Sequence, residues 1–230
     1  MSDKFSDYSL HYRDMSEDDA RRVVESMHRR KIEEFRLKLD VEKILPLVKG
    51  PDVLDMPFGV GRFLPHLFGK FNVFGYEISP NYVTFAKERY PDIADHFAVC
   101  SFEEISTARQ FDTVISLRVL GSVKDMDRTA ANIASILKPG GRWIFNYPEE
   151  KPRYKDLEAL LTAAGLTLKV KLRYDFHASM ASMSKLEQKV YDRFRAAIER
   201  GWVPYWLYRL IELFYIGRGT FLFVAEKSGR

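Results

Sequence analysis

The sequence lacks several features that would assign it to a class directly. Its 230 residues include a single cysteine, Cys100, which excludes a disulfide framework or a cysteine-based metal cluster within one chain. The most apolar stretch, Trp202–Ile216, contains Arg209 and Glu212 and is too short to cross a bilayer. The polar N-terminus has no apolar core of the signal-peptide type. We therefore expect a cytoplasmic protein without a transmembrane segment.

Charge is balanced along the chain. Lysine and arginine number 36 against 32 aspartate and glutamate, a formal net charge of +4. No basic run is long enough to indicate a nucleic-acid surface, and the sequence has no HxxxH or HExxH motif. No nucleic-acid partner and no metal site are therefore predicted. The content of 46% apolar and 30% charged residues is ordinary for a globular domain.

Short apolar runs alternate with helical patterns along most of the chain. Such alternation is typical of an α/β fold, in which helices cover both faces of a doubly wound, parallel sheet. In these sheets ligands bind at the carboxyl ends of the strands. The predicted strands are Val53–Asp55, Val73–Tyr76, His96–Cys100, Phe111–Leu117, Arg142–Tyr147, Leu166–Tyr174 and Phe221–Glu226.

Helical patterns also flank this core. Ser16 is predicted to cap a helix that extends to Phe35, and a second helix is predicted over residues 40–48. Two more helical stretches, about 182–200 and 204–215, separate the sixth strand from the last. The predicted divisions of this one domain are a helical cap at 1–50, a cofactor-binding core at 51–175, a helical insertion at 176–218 and a last strand at 219–230.

The loop after the first predicted strand is the strongest sign of a ligand site. In VLDMPFGVGRF, residues 53–63, the strand ends at Asp55, and Gly59 and Gly61 follow. A strand that leads into a glycine-containing turn and a helix brings bare backbone N–H groups next to a ligand. The second strand ends at Glu77, where an acid can accept hydrogen bonds from both hydroxyls of a ribose.

The two acids distinguish between nucleotide ligands. A dinucleotide site requires a third glycine where this sequence has Leu64, and Asp55 would repel a pyrophosphate. An adenosine with a cationic amino-acid tail fits both acids, with its ammonium group near Asp55 and its ribose on Glu77. That description matches S-adenosylmethionine, which is the predicted cofactor.

Four segments resemble, in order, the motifs of the class I S-adenosylmethionine-dependent methyltransferases. VLDMPFGVGRF resembles the glycine loop of that family, GYEISPNYVTFAKER its acidic loop, FDTVISLRVL its fourth strand and LKPGGRWIF its fifth. The resemblance covers about residues 53–174, and Phe221–Glu226 resembles the last, antiparallel strand. It implies a mostly parallel, seven-stranded sheet and a metal-independent methyltransferase.

The sequence departs from the family pattern at two positions. Pro57 replaces the usual first glycine, where its fixed φ can stiffen the turn. Ser101 replaces an aspartate that often bonds the adenine amino group. The cofactor-binding residues that the resemblance implies are Asp55, Pro57, Phe58, Gly59, Gly61, Arg62, Glu77, Ile78, Ser101, Phe102, Leu117 and Arg118.

The candidates for the acceptor site lie at strand ends and in the flanking helices. The predicted catalytic residues are Tyr147, Glu149 and His177, although a general base is needed only if the acceptor must lose a proton. The residues predicted to bind the acceptor are Tyr8, Tyr12, Arg13, Tyr174, Trp202 and Trp206. The aromatic stripe that contains the two tryptophans is most typical of internal packing, followed by a homodimer interface; a wall of the acceptor pocket and peripheral membrane contact remain open.

The predicted reaction is methyl transfer to an oxygen or nitrogen of a small-molecule, saccharide or lipid-like acceptor. Because the methyl donor is already activated, the protein mainly has to position donor and acceptor. Two alternatives remain open. One is a noncatalytic S-adenosylmethionine-binding protein that works through the insertion. The other is a nicotinamide-dependent oxidoreductase, which Leu64 and Asp55 disfavour.

Overall fold

The computed structural model of the protein describes residues 11–105, 107–149, 155–175, 184–214 and 220–229, with side chains except at 175 and 212–214. Two residues that were predicted to act in the site, Tyr8 and His177, lie outside this described part of the chain. The same holds for residues 176–183 and 215–218 of the predicted insertion.

Seven strands form one sheet, which confirms the predicted architecture. They are β1 (Asp52–Asp55), β2 (Asn72–Glu77), β3 (Phe97–Val99), β4 (Phe111–Ser116), β5 (Leu137–Pro148), β6 (Leu166–Asp175) and β7 (Thr220–Lys227). Their order is β3-β2-β1-β4-β5-β7-β6. The pairs among β1 to β5 are parallel, whereas β7 lies antiparallel between β5 and β6. The winding therefore reverses between β1 and β4, where a ligand crevice is expected.

Helices cover both faces of the sheet because its central strands are apolar on both sides. In β5, Trp143 and Phe145 pack on one face and Ile144 on the other. The first face is covered by α5 and α6, and the second by parts of α1 to α4. The helices of the described residues are α1 (Glu17–Arg29), α2 (Lys31–Ile44), α3 (Leu64–Leu67), α4 (Pro80–Arg89), α5 (Met126–Ile136), α6 (Leu157–Ala163), α7 (Lys185–Glu199) and α8 (Tyr205–Phe214).

The N-terminal helices differ from the prediction of one continuous helix over residues 16–35. The backbone of Arg30 is extended, with φ −83° and ψ 125°, and it separates α1 from α2. The Glu199 carboxylate accepts hydrogen bonds from the N–H groups of Lys31 and Ile32, at 2.9 and 3.4 Å. A side chain 168 residues away thus caps the start of α2, and no local pattern in the sequence indicates such a contact.

The insertion packs against the outer side of α2. Ile32, Phe35 and Leu39 of α2 form a small core with Ile198, Val203 and Tyr208 from α7, α8 and their connection. Trp202 and Trp206 lie outside this core and are 70% and 66% exposed. Internal packing, predicted for the aromatic stripe, is therefore confirmed for Tyr208 and wrong for the two tryptophans.

Candidate functional site

A cleft opens at the carboxyl ends of β1, β2 and β4, beneath α1 and α2. It encloses about 290 Å³, near the lower end of the range for small-molecule sites. The loops after β1, β2, β3 and β4 form its floor, and side chains of the two N-terminal helices form its roof. This is the edge at which doubly wound sheets bind their ligands.

Asp55 ends β1 on the floor of the cleft and is 3% exposed. Its carboxylate makes no hydrogen bond or ion pair with any residue that the structure describes. Burial raises the pKa of Asp55 well above its ordinary value, and the charges of Glu77 and Asp40 raise it further. A buried carboxylate without a partner is costly, so this position favours a proton or a cationic ligand.

Glu77 ends β2 and holds the loops around it. One carboxylate oxygen accepts the N–H of Gly59 at 2.8 Å, and the other accepts those of Ile78 and Ser79 at 2.8 and 3.1 Å. Burial raises the pKa of Glu77, although these three backbone donors oppose the shift. Because a carboxylate offers about four acceptor sites, the oxygen that binds Gly59 can accept another hydrogen bond.

The glycine loop brings bare backbone to the cleft. Gly59 and Gly61 have φ of +58° and +71°, in the left-handed region that favours glycine. A Cβ at Gly59 would have no neighbour within 4 Å, so this stretch of backbone borders open space. The loop also contains a cis peptide bond between Met56 and Pro57.

Two arginines of the cleft are fixed by carboxylates of α2. Nη1 and Nη2 of Arg118 donate to the two oxygens of Asp40, at 2.8 and 2.7 Å. Arg62 donates to Glu33, from Nη2 to the carboxylate at 2.9 Å and from Nη1 to the backbone carbonyl at 2.8 Å. Burial would raise the pKa of Glu33, but Arg36, Arg62 and Arg118 outweigh burial and lower it.

The other end of the cleft is formed after β3. Cys100, Ser101 and Phe102 line it there. The hydroxyl of Ser101 lies 3.4 Å from a carboxylate oxygen of Glu104. This hydroxyl can both donate and accept hydrogen bonds, so the position remains compatible with a contact to a heterocyclic amine.

Nearly all residues of the predicted cofactor set meet in the cleft. Gly61 is the exception, because it borders a smaller cavity behind the loop, next to Tyr82 and Tyr90. The residues of the set that line the cleft are Asp55, Pro57, Phe58, Gly59, Arg62, Glu77, Ile78, Ser101, Phe102, Leu117 and Arg118.

The predicted acceptor residues are more scattered. Tyr12 lines the cleft, and Arg13 lies 3.7 Å from Glu104 in an exposed ion pair. Tyr174 is fully buried; its hydroxyl donates to Asp40 and accepts a hydrogen bond from Nη2 of Arg118 at 3.3 Å, so it contacts the cleft through these two side chains. Those outside the lining of the cleft are Arg13, Tyr147, Glu149, Tyr174, Trp202 and Trp206.

The roof of the cleft contains residues that the sequence analysis missed. Val23 and Met27 of α1 and Leu37 and Asp40 of α2 all line it. The sequence did contain a pattern that indicates this role for α2. Glu33, Leu37 and Asp40 are spaced so that they lie on one face of the helix. Acids within an apolar stripe indicate inward-facing charges that need partners.

Comparison with known proteins decides the family. The sequence matches the family model described as a methyltransferase domain over residues 27–188, which is more than half of the chain. The chain belongs to this methyltransferase family. Its cofactor is S-adenosylmethionine, as predicted. The match excludes the nicotinamide-dependent alternative.

Individual relatives of this methyltransferase are distant. A stretch of 75 residues, 30% of the chain, is 37% identical to the highly reducing polyketide synthase NEC1 of Pyricularia oryzae, and it spans 3% of that protein. A structure of the complex between the Haloferax volcanii Trm112 methyltransferase activator and a methyltransferase matches with a TM-score of 0.64 and 22% identity, covering 95% and 98% of the two chains. N-methyltransferase NodS from Bradyrhizobium japonicum, in complex with S-adenosylhomocysteine, matches with a TM-score of 0.52 and 16% identity over 84% and 86%.

The residues of the cleft fit the cofactor of this methyltransferase. The buried carboxylate of Asp55, which has no partner among the described residues, suits an ammonium group. Elsewhere in the described chain, no group of three or more His, Cys, Asp or Glu is arranged to hold a metal ion. In the same residues, no helix is long and apolar enough to span a membrane.

Proposed function

We propose that this methyltransferase transfers a methyl group to an oxygen or nitrogen atom of a small-molecule, saccharide or lipid-like acceptor that binds beneath α1 and α2. The observation that carries the proposal is Asp55, a buried carboxylate at the switch point of the sheet that has no partner in the described chain. A buried carboxylate at this position favours a cationic ligand, and the ammonium group in the amino-acid tail of the cofactor is one.

The floor of the cleft would hold the donor. Asp55 would accept hydrogen bonds from the ammonium group, and Glu77 from a ribose hydroxyl. The backbone at Gly59 would lie along the ligand, since no side chain fills that space. Ser101 would bond the adenine ring at the far end. When bound, the cofactor supplies a sulfonium-activated methyl group for displacement by the acceptor.

The roof of the cleft would hold the acceptor. Val23, Met27 and Leu37 make this part of the cleft largely apolar. Such walls exclude water and orient a small acceptor without making charged contacts, which suits a reaction that depends on proximity and alignment. Tyr147 and Glu149 remain predicted catalytic residues, but neither lines the cleft, so we assign the proposed reaction to positioning alone.

The named activities of the relatives support an O or N acceptor only in general terms. NodS is an N-methyltransferase, and the polyketide synthase shares one stretch of sequence with this chain. Both are distant; the first name is compatible with a nitrogen acceptor and the second with a small-molecule product.

Titration calorimetry with S-adenosylhomocysteine tests the proposal, with NAD as the control ligand. We expect binding of S-adenosylhomocysteine alone, and stabilisation against unfolding of about 2.7 kcal/mol at a hundredfold excess over the dissociation constant. Methyl transfer from labelled cofactor to a panel of amines, phenols, sugars and lipids then identifies the acceptor. Cofactor binding without transfer to any class would favour a noncatalytic binding protein.

A further inference from the structure

The end of the cleft beneath α2 contains two guanidinium groups that are held by one helix. Arg62 directly follows the glycine loop, and Arg118 is the second residue after the end of β4. Their partners, Glu33 and Asp40, are 5% and 3% exposed. Because seven residues make about two helical turns, the two acids share one face of α2. One helix thus fixes the loops after both strands that flank the switch point.

The turn at Arg118 has a conformation that requires support. Its φ of 57° lies in the left-handed region, which is uncommon for a residue other than glycine. Its backbone N–H donates to the side-chain oxygen of Asn146, and its guanidinium donates to Asp40. Asp40 in turn accepts a hydrogen bond from Tyr174. The turn is therefore held from β5, from α2 and, through Asp40, from β6.

The charges in the cleft indicate what the two guanidinium groups would bind. Asp55 and Glu77 suit the ammonium group and the ribose, but the amino-acid tail of the cofactor also contains a carboxylate, which requires a cation. Arg62 and Arg118 expose 16% and 31% of their side chains and line the cleft. A guanidinium carries five N–H donors, and a bidentate pair with one carboxylate uses two of them.

We propose that Asp40 and Glu33 are positioning residues for the cofactor. By holding Arg118 and Arg62, they orient guanidinium N–H groups toward the carboxylate of the amino-acid tail. The inference rests on the cofactor placement in the proposed function. It makes α2 part of the cofactor site rather than a cover over it.

Two ligands that differ only in the tail separate this role from a structural one. S-adenosylhomocysteine carries the amino acid, whereas 5′-methylthioadenosine has the adenosine and the sulfur without it. We expect Asp40→Asn to weaken S-adenosylhomocysteine about tenfold, as for the loss of one charged hydrogen bond, and to leave methylthioadenosine unchanged. The matched control is Glu34→Gln, which removes an exposed acid of α2 that pairs with Lys38.

A second, milder variant keeps the test decisive if Asp40→Asn does not fold. Tyr174→Phe removes the hydrogen bond to Asp40 and the 3.3 Å hydrogen bond from Nη2 of Arg118, but it keeps the ion pair between Arg118 and Asp40. We therefore expect a smaller loss that is again confined to S-adenosylhomocysteine. Equal losses for both ligands, or no loss for either, would overturn the inference and leave a purely structural link. If the unaltered protein bound no S-adenosylhomocysteine, the proposed function would fail and the inference with it.

Discussion

The two ends of β1 place the same residue type in opposite situations. Asp52, at the amino end, accepts hydrogen bonds from Lys138 and Asn72, each at 2.7 Å, and its side chain is 23% exposed. These partners lower the pKa of Asp52. Asp55, three residues later, is buried without a partner in the described chain, and burial raises its pKa. The fold provides hydrogen-bond partners for Asp52, whereas the carboxylate of Asp55 remains available to a ligand.

This contrast explains why the site is at the carboxyl edge of the sheet. At the amino edge, Nζ of Lys138 donates to Asp52 and Asp112, at 2.7 and 2.8 Å, so both carboxylates share a cationic partner. At the carboxyl edge, Arg62 and Arg118 of the cleft pair with Glu33 and Asp40 and form no hydrogen bond or ion pair with Asp55. A buried carboxylate without a partner is costly unless it takes up a proton or binds a cationic ligand, so we expect the ligand at the edge where Asp55 lies.

The largest expected effect is on cofactor affinity. We expect Asp55→Asn to weaken S-adenosylhomocysteine about 30-fold, because a hydrogen bond to a charged group is worth about 2 kcal/mol. Calorimetry measures this loss. Asp52→Asn is the matched control at the other end of β1 and should leave the affinity unchanged. If both variants bound the ligand as tightly as the unaltered protein, the contrast between the two acids would have no bearing on the cofactor.

A smaller effect is expected at Glu77. Glu77→Gln should weaken S-adenosylhomocysteine about tenfold, since an amide replaces one acceptor oxygen by a donor. Glu77→Ala should also lower the free energy of unfolding by about 2 kcal/mol or more, because the N–H groups of Gly59, Ile78 and Ser79 lose their acceptor. Denaturant titration measures the stability, with the exposed Glu104→Gln as control. A fully stable alanine variant would contradict this double role.

The smallest expected effect is on how the unfolding free energy of the ligand-free protein depends on pH. It also gives the sharpest comparison of Asp52 with Asp55. The pKa of Asp55 is raised above 3.8 in the folded state, so its contribution to stability is present at low pH and is lost as pH rises through the raised pKa. The pKa of Asp52 is lowered below 3.8, so its contribution is present at neutral pH and is lost as pH falls.

Unfolding free energies from about pH 3.5 to about pH 7 test these opposite signs. The difference between the unaltered protein and Asp55→Asn should fall with rising pH, whereas the difference for Asp52→Asn should rise. Slopes of the same sign for the two variants would refute the contrast. Bound ligand must be absent, because an ammonium group beside Asp55 would reverse its slope.

The sheet could be predicted because its signals are local. The apolar runs from Val53 to Leu117 and the glycine loop between them require only neighbouring residues to be interpreted. Asp55 and Glu77 could be predicted for the same reason, since each ends a strand whose position the pattern defines. The separation of α1 from α2 at Arg30 could not, because Glu199 determines it from another helix.

The roof of the cleft could not be predicted for a related reason. Asp40 acquires its significance from Arg118 and Tyr174, which are 78 and 134 residues away. Such pairings depend on how the cap docks onto the sheet, and a helical pattern does not indicate which face will meet which loop. The exposure of Trp202 and Trp206 could not be predicted either, because the spacing of aromatic residues does not distinguish a buried core from an exposed surface.

The position of β7 has a consequence for the order in which the protein can assemble. Among the strands that the structure describes, β6 lies at the edge and pairs with β7 alone, and β7 joins it to β5. During synthesis β6 therefore emerges before the only strand that can attach it, with residues 176–219 still to come. The parallel pairs among β1 to β5 do not depend on β7. The loops after β1 to β4 can thus form on the nascent chain before β7 is made, whereas the contacts of α2 with Tyr174 and Glu199 form later.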